Sequence, residues 1–312
     1  MADSSFLIEE VGVAMNIQIV GAGAVGLLVA SYLQQSGINV TLVVRSEEQR
    51  KVIAKQGVTL IRNNSVFTTK ELTVVRKMAK DAPITIVTTK SYHLQHLYNE
   101  LAELPESAAI LFMQNGLAHY EPAISLPQRD IAFSSVQFGA LKENNTTVRH
   151  TGVGIWKLAI GKGAVNAFEP LMKCQSEPFP IELVHDAYAM LFEKALLNCF
   201  INPLTAILQV KNGVLIENKA AYTLLEQLYN ELLVAFPNEM VDFPLHSVVS
   251  LCEKTAENTS SMLMDRLSRR PSEVDAIVRP ILERAKKSGQ HIPTLQMLYT
   301  LMMALEMERE RQ

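Results

Sequence analysis

Residues 15–33 read MNIQIVGAGAVGLLVASYL, and this stretch carries the clearest indication of the fold. A short β-branched run leads into three glycines with G-x-G-x-x-G spacing, and an apolar stretch of helical character follows. Three interpretations are open: a membrane anchor, a structural turn, or a binding loop for phosphate. A membrane-spanning helix needs about 20 predominantly apolar residues, so this glycine-rich run is a poor anchor.

The glycines fit a dinucleotide-binding loop because they lie between a predicted strand and a predicted helix. Gly21 permits the tight turn, Gly23 lets the backbone approach a pyrophosphate, and Gly26 lets the helix pack against the strand. Free N–H groups at the start of the helix would face the phosphates. The predicted cofactor-binding residues of the loop are Gly21, Ala22, Gly23, Ala24, Val25 and Gly26. A glycine-rich turn without a ligand is the alternative.

The end of the second predicted strand, NVTLVVRS, bears on the choice of cofactor. A site that prefers NAD usually places an acidic residue here, whereas this strand ends at Arg45. An arginine can bind a 2′-phosphate through two hydrogen bonds, so the sequence favours NADPH. Glu47 and Glu48 follow closely and keep NADH as an alternative, and a solvated surface arginine is the other interpretation of Arg45.

Composition excludes several classes of partner. The chain has 312 residues, 48% of them apolar and 20% charged, which is ordinary for a globular protein of two domains. A net charge of −3 gives no reason to expect nucleic acid or an anionic membrane. The three cysteines lack a C-x-x-C pair, which argues against a disulfide framework or a zinc site and favours a cytoplasmic location. The seven histidines are scattered, so we expect no metal.

The pattern along the chain predicts two domains. Residues 15–183 alternate β-branched runs with helical stretches, which indicates parallel βαβ units in a doubly wound, Rossmann-type sheet. DIAFSSVQFGAL and GVGIWKLAIGKG are expected to extend or edge that sheet, with a turn at KENNTT. Residues 184–312 show apolar residues at helical spacing, which predicts an all-helical second domain. Residues 1–14 are interpreted as an extension, either disordered or derived from cloning.

Polar residues follow two of the predicted strands. ITIVTTK ends at Lys90, and AILFMQNG ends with Gln114, Asn115 and Gly116. Ligands of open α/β sheets lie beyond the carboxyl ends of the strands, so Lys90 and Asn115 are candidates for contact with cofactor or substrate. A surface charge at a helix start is the alternative for Lys90, and an Asn-Gly turn is the alternative for Asn115.

The stretch EKALLNCFINPLTAI carries a polar stripe in the helical half. Lys194, Asn198 and Asn202 are four residues apart, so one continuous helix places them on one face. Burying such a stripe without partners is costly, and a solvated face is the alternative. Pro203 disfavours helical geometry at Asn202 and is expected to kink or end the helix there.

A second polar cluster lies in ENTSSMLMDRLSRRPSEVDAI. Ser261 and Glu273 would be about 18 Å apart in one straight helix, too far to share a small substrate. Ser272, or Ser268, is expected to cap a new helix, and the turn before that helix would let the two residues converge. Glu273 is otherwise interpreted as an acid in a first helical turn.

These segments, in this order, resemble the ketopantoate reductase (2-dehydropantoate 2-reductase) family. The resemblance rests on GAGAVG, Arg45, TTK, QNG, EKALLNCFINPLTA, and SSMLMD followed by SEVDAI. It extends from Met15 almost to the C-terminus, and the K-x-x-x-N-x-x-x-N-P-L-T-A and S-S-M-L-x-D strings are far more specific than the glycine loop.

The resemblance implies reduction of 2-dehydropantoate by NADPH to (R)-pantoate, in pantothenate and coenzyme A biosynthesis. Lys194 and Glu273 match the catalytic residues: Lys194 the general acid, and Glu273 an acidic residue that binds the substrate and also contacts the cofactor. Arg45 matches the reader of the 2′-phosphate. The implied substrate-binding residues are Asn115, Asn198, Asn202, Ser261 and Lys90, of which Lys90 and Asn115 also contact the cofactor.

Two other functions stay open at this point. One is a reductase of another 2-keto acid on the same architecture, since fold does not fix substrate. The other is a non-catalytic NADPH-binding sensor, which would need only the glycine loop and Arg45. Four methionines in the last predicted helix indicate core packing or a subunit contact. They are Met297, Met302, Met303 and Met307. If they form a subunit contact, the protein is expected to be a homodimer.

Overall fold

The strand and helix that flank the glycine loop lie where the sequence predicts them. The structure is a computed structural model that describes residues 16–241 and 243–311, so the extension predicted for residues 1–14 lies outside the described residues. β1 (Asn16–Val20) enters the loop and α1 (Ala24–Gln35) leaves it. β1 pairs in parallel with β2 (Asn39–Val43) and β6 (Ile84–Val87), which places the loop near the middle of a sheet.

Five further strands complete an eight-stranded main sheet. They are β5 (Leu72–Val75), β7 (Ala109–Phe112), β8 (Ile131–Val136), β11 (Trp156–Lys162) and β12 (Ile181–Val184). The order is β12-β11-β8-β7-β6-β1-β2-β5, and only the β8–β11 pair is antiparallel. The carboxyl ends of β1, β2, β6, β7 and β8 therefore share one edge, which is where ligands of such sheets bind.

A second, four-stranded sheet was not predicted from the sequence. It contains β3 (Val58–Arg62), β4 (Ser65–Thr69), β9 (Gly139–Lys142) and β10 (Thr147–Gly152), in the order β4-β3-β10-β9. The expectation that DIAFSSVQFGAL extends the main sheet is therefore wrong for its second part, which forms β9. That strand pairs with β10 across the predicted turn, where Asn144 Oδ1 accepts hydrogen bonds from the Thr146 and Thr147 N–H groups.

Helices cover the main sheet and form the second half of the chain. The first set comprises α2 (Glu47–Gln56), α3 (Leu94–Ala102), α4 (Tyr120–Ile124) and α5 (Glu169–Met172). The second set comprises α6 (Ala187–Leu208), α7 (Val214–Glu217), α8 (Lys219–Ala235), α9 (Leu245–Lys254), α10 (Ser261–Leu267), α11 (Val274–Lys287) and α12 (Pro293–Arg311). The change from strands to helices falls between β12 and α6, whereas the domain boundary at residues 183/184 stays a prediction.

Helix α6 is the centre of the helical half, and it continues past Pro203. The expectation that Pro203 ends the helix is wrong because the following turn is held by burial and by Thr205. The Thr205 hydroxyl donates to the carbonyls of Ile201 and Asn202 and also contacts the Ser260 hydroxyl. By length and apolar composition α6 could cross a membrane, yet 67% of its apolar window is buried within the protein, as expected of a core helix.

The chain turns between α10 and α11, as convergence of their polar residues requires, but the predicted caps are wrong. Ser268 is the residue that ends α10, and Ser272 precedes α11 without capping it. The Ser272 N–H instead donates to the Glu306 carboxylate of α12. Glu273 occupies the N-cap position of α11. Its side chain does not cap the helix and instead accepts a hydrogen bond from Lys90, which follows β6.

The methionines of α12 divide between core and surface. Met302 is buried and Met303 packs against the core, whereas Met297 and Met307 are exposed. Core packing therefore accounts for two of the four, and a subunit contact through the others stays a prediction.

Candidate active site

The glycine loop is shaped partly by the protein's own packing. Gly21 has a φ of +110°, and its carbonyl accepts a 2.8 Å hydrogen bond from the Thr88 hydroxyl at the end of β6. A side chain on Gly26 would overlap the Gly21 carbonyl. These two glycines are needed whether or not a ligand binds.

Gly23 differs from Gly21 and Gly26 because no protein atom lies where its side chain would be. A Cβ atom on Gly23 would meet nothing within 4 Å, and Gly23 is exposed. Gly23 is also the N-cap of α1 and supplies no side chain to its first N–H groups. Open space above uncapped N–H groups and a helix dipole suits a phosphate. The loop therefore fits the pyrophosphate of a dinucleotide.

Arg45 lies exposed just beyond β2. Nearby Glu47 forms a 2.7 Å ion pair with Arg50 inside α2, so this carboxylate is already engaged. Arg45 forms no ion pair with any residue in the described part of the chain. The sequence-based preference for a 2′-phosphate over a ribose hydroxyl is compatible with this arrangement.

Lys90 joins the two halves of the protein. It follows β6, and its Nζ lies 2.9 Å from Asp265 Oδ2 of α10 and 3.1 Å from Glu273 Oε2 at the start of α11. Burial alone would lower the pKa of Lys90, but the carboxylates of Glu273 and Asp265 outweigh burial and raise it. Lys90 therefore stays an ammonium ion.

Glu273 is 5% exposed and is held from three directions. Its Oε1 accepts from the Ser91 N–H at 3.1 Å, and its Oε2 accepts from Asn115 Nδ2 at 3.1 Å and from Lys90 Nζ. Burial acts to raise the pKa of Glu273, but Lys90 and these hydrogen bonds hold it below its usual value. The residue is a fixed carboxylate between the two halves.

The loop after β7 contacts helix α11, which begins directly after Glu273. The Leu117 N–H donates to the Ala276 carbonyl of α11 at 3.0 Å. Gly116 has a φ of +82°, and a side chain on it would overlap that carbonyl. The Asn-Gly pair therefore forms a bend in the chain, close to the turn that one interpretation predicted, and the bend also presents Asn115 to Glu273.

Lys194 projects from α6 toward the carboxyl edge of the main sheet. Its Nζ donates a 2.7 Å hydrogen bond to the carbonyl of Val136, the last residue of β8. Burial lowers the pKa of Lys194 to about 8, and Glu273 opposes this effect. Unlike Lys90, Lys194 has no ion pair within the described residues, so it can gain and lose a proton near neutral pH.

The rest of the polar stripe follows Lys194 along α6. Asn198 is half-buried and Asn202 is buried. Neither side chain forms a hydrogen bond with any described residue, so both amides are available to a ligand that reaches them. The stripe is thus not a solvated face.

Ser261 and its neighbour have different environments. Ser260 is buried and caps α10, because its Oγ accepts from the Leu263 N–H. Ser261 is exposed and lies one helical turn before Asp265, on the same face of α10. Since Asp265 and Glu273 both bind Lys90, the turn between α10 and α11 brings the Ser261 face toward the cluster.

Comparison with known proteins identifies the family. The family model of ketopantoate reductase PanE/ApbA matches residues 17–163, and the model of its C-terminal part matches residues 186–306. The curated 2-dehydropantoate 2-reductase of Listeria innocua is 36% identical over 302 residues, which cover 95% of this chain and 98% of the relative. The chain belongs to the ketopantoate reductase family.

Solved structures agree with this assignment. One from Bacillus subtilis is 32% identical, covers 94% of this chain and all of that chain, and has a TM-score of 0.82. D-mandelate dehydrogenase, solved with NADH and anilino(oxo)acetate, is 24% identical over 95% of this chain and all of that chain, with a TM-score of 0.83, and shares the fold. The predicted fold class, a Rossmann-type sheet followed by a helical part, is confirmed.

Within this ketopantoate reductase fold, the sequence assigned no individual role to three polar residues near the cluster. Asp265 binds both Lys90 and Arg270. The Gln114 amide donates to the carbonyls of Val87 and Thr89, which fixes the segment before Lys90. The His119 imidazole is buried, neither of its nitrogens has a hydrogen-bond partner among the described residues, and burial lowers its pKa to about 4. The sequence held one indication of a role for Asp265: it follows the candidate residue Ser261 by one helical turn and so lies on the same helix face.

Metal ligands are not grouped at this site. The structure between residues 16 and 311, apart from residue 242, has no cluster of three or more histidine, cysteine, aspartate or glutamate side chains that could hold an ion. The absence of a metal requirement stays a prediction.

Proposed function

We propose that the protein reduces 2-dehydropantoate to pantoate with NADPH. The observation that carries the proposal is the Lys194 ammonium, which has a pKa of about 8 and lies at the carboxyl edge of the sheet that holds the glycine loop. The family assignment and the curated relatives, which are 2-dehydropantoate 2-reductases, support this substrate.

The glycine loop and Arg45 hold the cofactor in this proposal. Uncapped N–H groups of α1 bind the pyrophosphate, and the Arg45 guanidinium binds the 2′-phosphate. When bound, the cofactor supplies a hydride to the carbonyl carbon of the substrate. The side chains around it orient the substrate and supply the proton.

Lys194 acts as the general acid. Negative charge develops on the substrate oxygen as the carbonyl carbon becomes tetrahedral, and the ammonium stabilises that charge. Lys194 then transfers a proton to the oxygen, which completes the hydroxyl group and leaves a neutral amine. A pKa near 8 suits this role because the group is mostly protonated at neutral pH yet gives up its proton readily.

Glu273 keeps Lys194 charged and fixes Lys90 and Asn115. Its carboxylate raises the proton affinity of Lys194, which offsets part of the burial effect. Lys90 and Asn115 are thereby presented to cofactor and substrate from the Rossmann half. Asn198, Asn202 and Ser261 bind the substrate's carboxylate and hydroxyl groups from the helical half.

The test of the proposal is NADPH oxidation measured with 2-dehydropantoate and with a panel of other 2-keto acids. We expect kcat/KM to be highest for 2-dehydropantoate. A higher kcat/KM with another 2-keto acid would show that the protein is a reductase of that acid. NADPH binding without turnover of any substrate would favour the non-catalytic sensor.

Cofactor preference has its own test. Arg45→Ala should weaken NADPH binding by about 10-fold or more, since a charged hydrogen bond to phosphate is worth about 1.5–3 kcal/mol, and should leave NADH binding unchanged. An equal loss of affinity for NADPH and NADH would show that Arg45 does not bind the 2′-phosphate. A homodimer and a cytoplasmic location remain predictions, of which sedimentation tests the first.

A further inference from the structure

Lys142 is a half-buried cation beside the glycine loop. It is the last residue of β9, in the second sheet, and its Nζ lies 3.2 Å from the carbonyl of Ala22, between the first two glycines. Burial lowers the pKa of Lys142. The second sheet therefore places a positive charge next to the loop that the main sheet builds.

No carboxylate balances that charge within the described residues. The adjacent acid, Glu143, is engaged by Arg149 at 2.5 Å, and Glu47 of α2 is engaged by Arg50. The other side chain on the Ala22 carbonyl is the neutral Gln49 amide, at 3.0 Å. Partly buried charges are ordinarily paired, as Lys90 is, so an unpaired ammonium at a ligand loop indicates that the ligand supplies the counter-charge.

The neighbouring backbone has room for that ligand. Ala22 precedes Gly23, the loop residue whose side-chain direction is open, and consecutive Cα atoms are about 3.8 Å apart. The lysine side chain is long and flexible, so its ammonium can leave the carbonyl for a stronger acceptor nearby. A phosphate oxygen is such an acceptor.

We propose that Lys142 binds a phosphate group of the dinucleotide, reaching it from the second sheet across the glycine loop. This inference rests on the proposed function only in assuming that a nicotinamide dinucleotide binds the loop. It gives the second sheet, which the sequence did not predict, a role in cofactor affinity. The phosphate is either in the pyrophosphate, common to NADPH and NADH, or the 2′-phosphate of NADPH.

The experiment is a fluorescence titration of NADPH and NADH into wild-type protein and three variants. Lys142→Gln keeps a hydrogen-bond donor and removes the charge, so Kd should rise about 10-fold or more. Lys142→Arg keeps the charge and should stay within about 3-fold of wild type. The matched control is Lys162→Gln, because Lys162 also donates to a backbone carbonyl, that of Leu126, but lies alongside the amino end of β8.

The two cofactors separate the two phosphates. An equal rise in Kd for NADPH and NADH assigns Lys142 to the pyrophosphate, and a rise for NADPH alone assigns it to the 2′-phosphate. Unchanged Kd values in Lys142→Gln, or an equal loss in Lys142→Gln and Lys142→Arg, would overturn the proposal, because Lys142 would then only anchor β9. If wild-type protein binds neither cofactor, the proposed function fails instead.

Discussion

Two lysines at the same edge of the sheet have opposite environments. Lys90, at the end of β6, is bound by Asp265 and Glu273, and these carboxylates raise its pKa. Lys194, in α6, is bound by one backbone carbonyl, and burial lowers its pKa to about 8. The residue type is the same, so the difference comes from the neighbouring carboxylates.

This difference separates two tasks that an active site needs. A cation with two carboxylate partners holds its proton and fixes geometry, here between the two halves of the chain. A desolvated cation without an ion pair releases its proton near neutral pH, as a general acid must. Glu273 takes part in both, since it binds Lys90 directly and raises the pKa of Lys194.

The largest effect is expected at Lys194. Lys194→Met removes the proton donor while keeping a long side chain, so kcat should fall by about 10²–10⁴-fold. The Kd of NADPH should stay within about 2-fold of wild type, and Tm should not fall, because a desolvated cation is lost. Steady-state kinetics, fluorescence titration and thermal unfolding measure the three quantities.

The same measurements on Lys254→Met, an exposed lysine of the helical half, supply the control. Loss of NADPH affinity in step with turnover in Lys194→Met would contradict the role of Lys194 as an acid that acts only on the substrate.

A smaller effect of a different kind is expected at Lys90. Lys90→Met leaves two carboxylates, 3% and 5% exposed, without their shared cation. Breaking a buried pair costs about 3–5 kcal/mol, but Lys90 is itself 37% exposed and Asp265 keeps Arg270, so we expect about 1–2 kcal/mol. Tm should fall by roughly 2–6 °C.

The kinetic signature also differs from that of Lys194. KM for substrate should rise more than kcat falls in Lys90→Met, because Lys90 positions and does not donate a proton. A fall in kcat as large as that of Lys194→Met, with no change in Tm, would erase the distinction between the two lysines.

The sequence predicted what is local and missed what depends on pairing across the chain. The G-x-G-x-x-G loop is local: a strand, a turn that needs glycine and a helix start lie within 20 residues, so the pattern determines the structure. The second sheet joins β3 to β10 across more than 80 residues, and its strands are short and partly exposed. Periodicity carries no information about such a partner.

The lysine environments show the same limit at the site. Spacing on α6 placed Lys194, Asn198 and Asn202 on one face, and the helix confirms that arrangement. No local pattern could give the link from Lys90 to Asp265, which are 175 residues apart. The expectation that Pro203 ends the helix failed for a related reason, because tertiary packing overrides a local preference against helix.

The smallest expected effect that still separates Lys90 from Lys194 is a shift in the pH dependence of kcat/KM in Glu273→Gln. In wild type, kcat/KM should fall as pH rises through about 8, because Lys194 loses its proton there. Removing the Glu273 carboxylate removes the group that raises the pKa of Lys194, so this falling limb should move to lower pH. The pH profile of kcat/KM, measured from pH 6 to 10, reports the shift even if overall activity drops.

Asp265→Asn is the matched control for that shift. Asp265 also binds Lys90, but Glu273 is the acid that acts on the pKa of Lys194, so this variant should leave the falling limb where it is in wild type. A limb that moves equally in both variants would mean that Lys90, and not Glu273, sets the proton affinity of Lys194. The two lysines would then titrate as one coupled group, and the division between a fixing cation and a donating cation would fail.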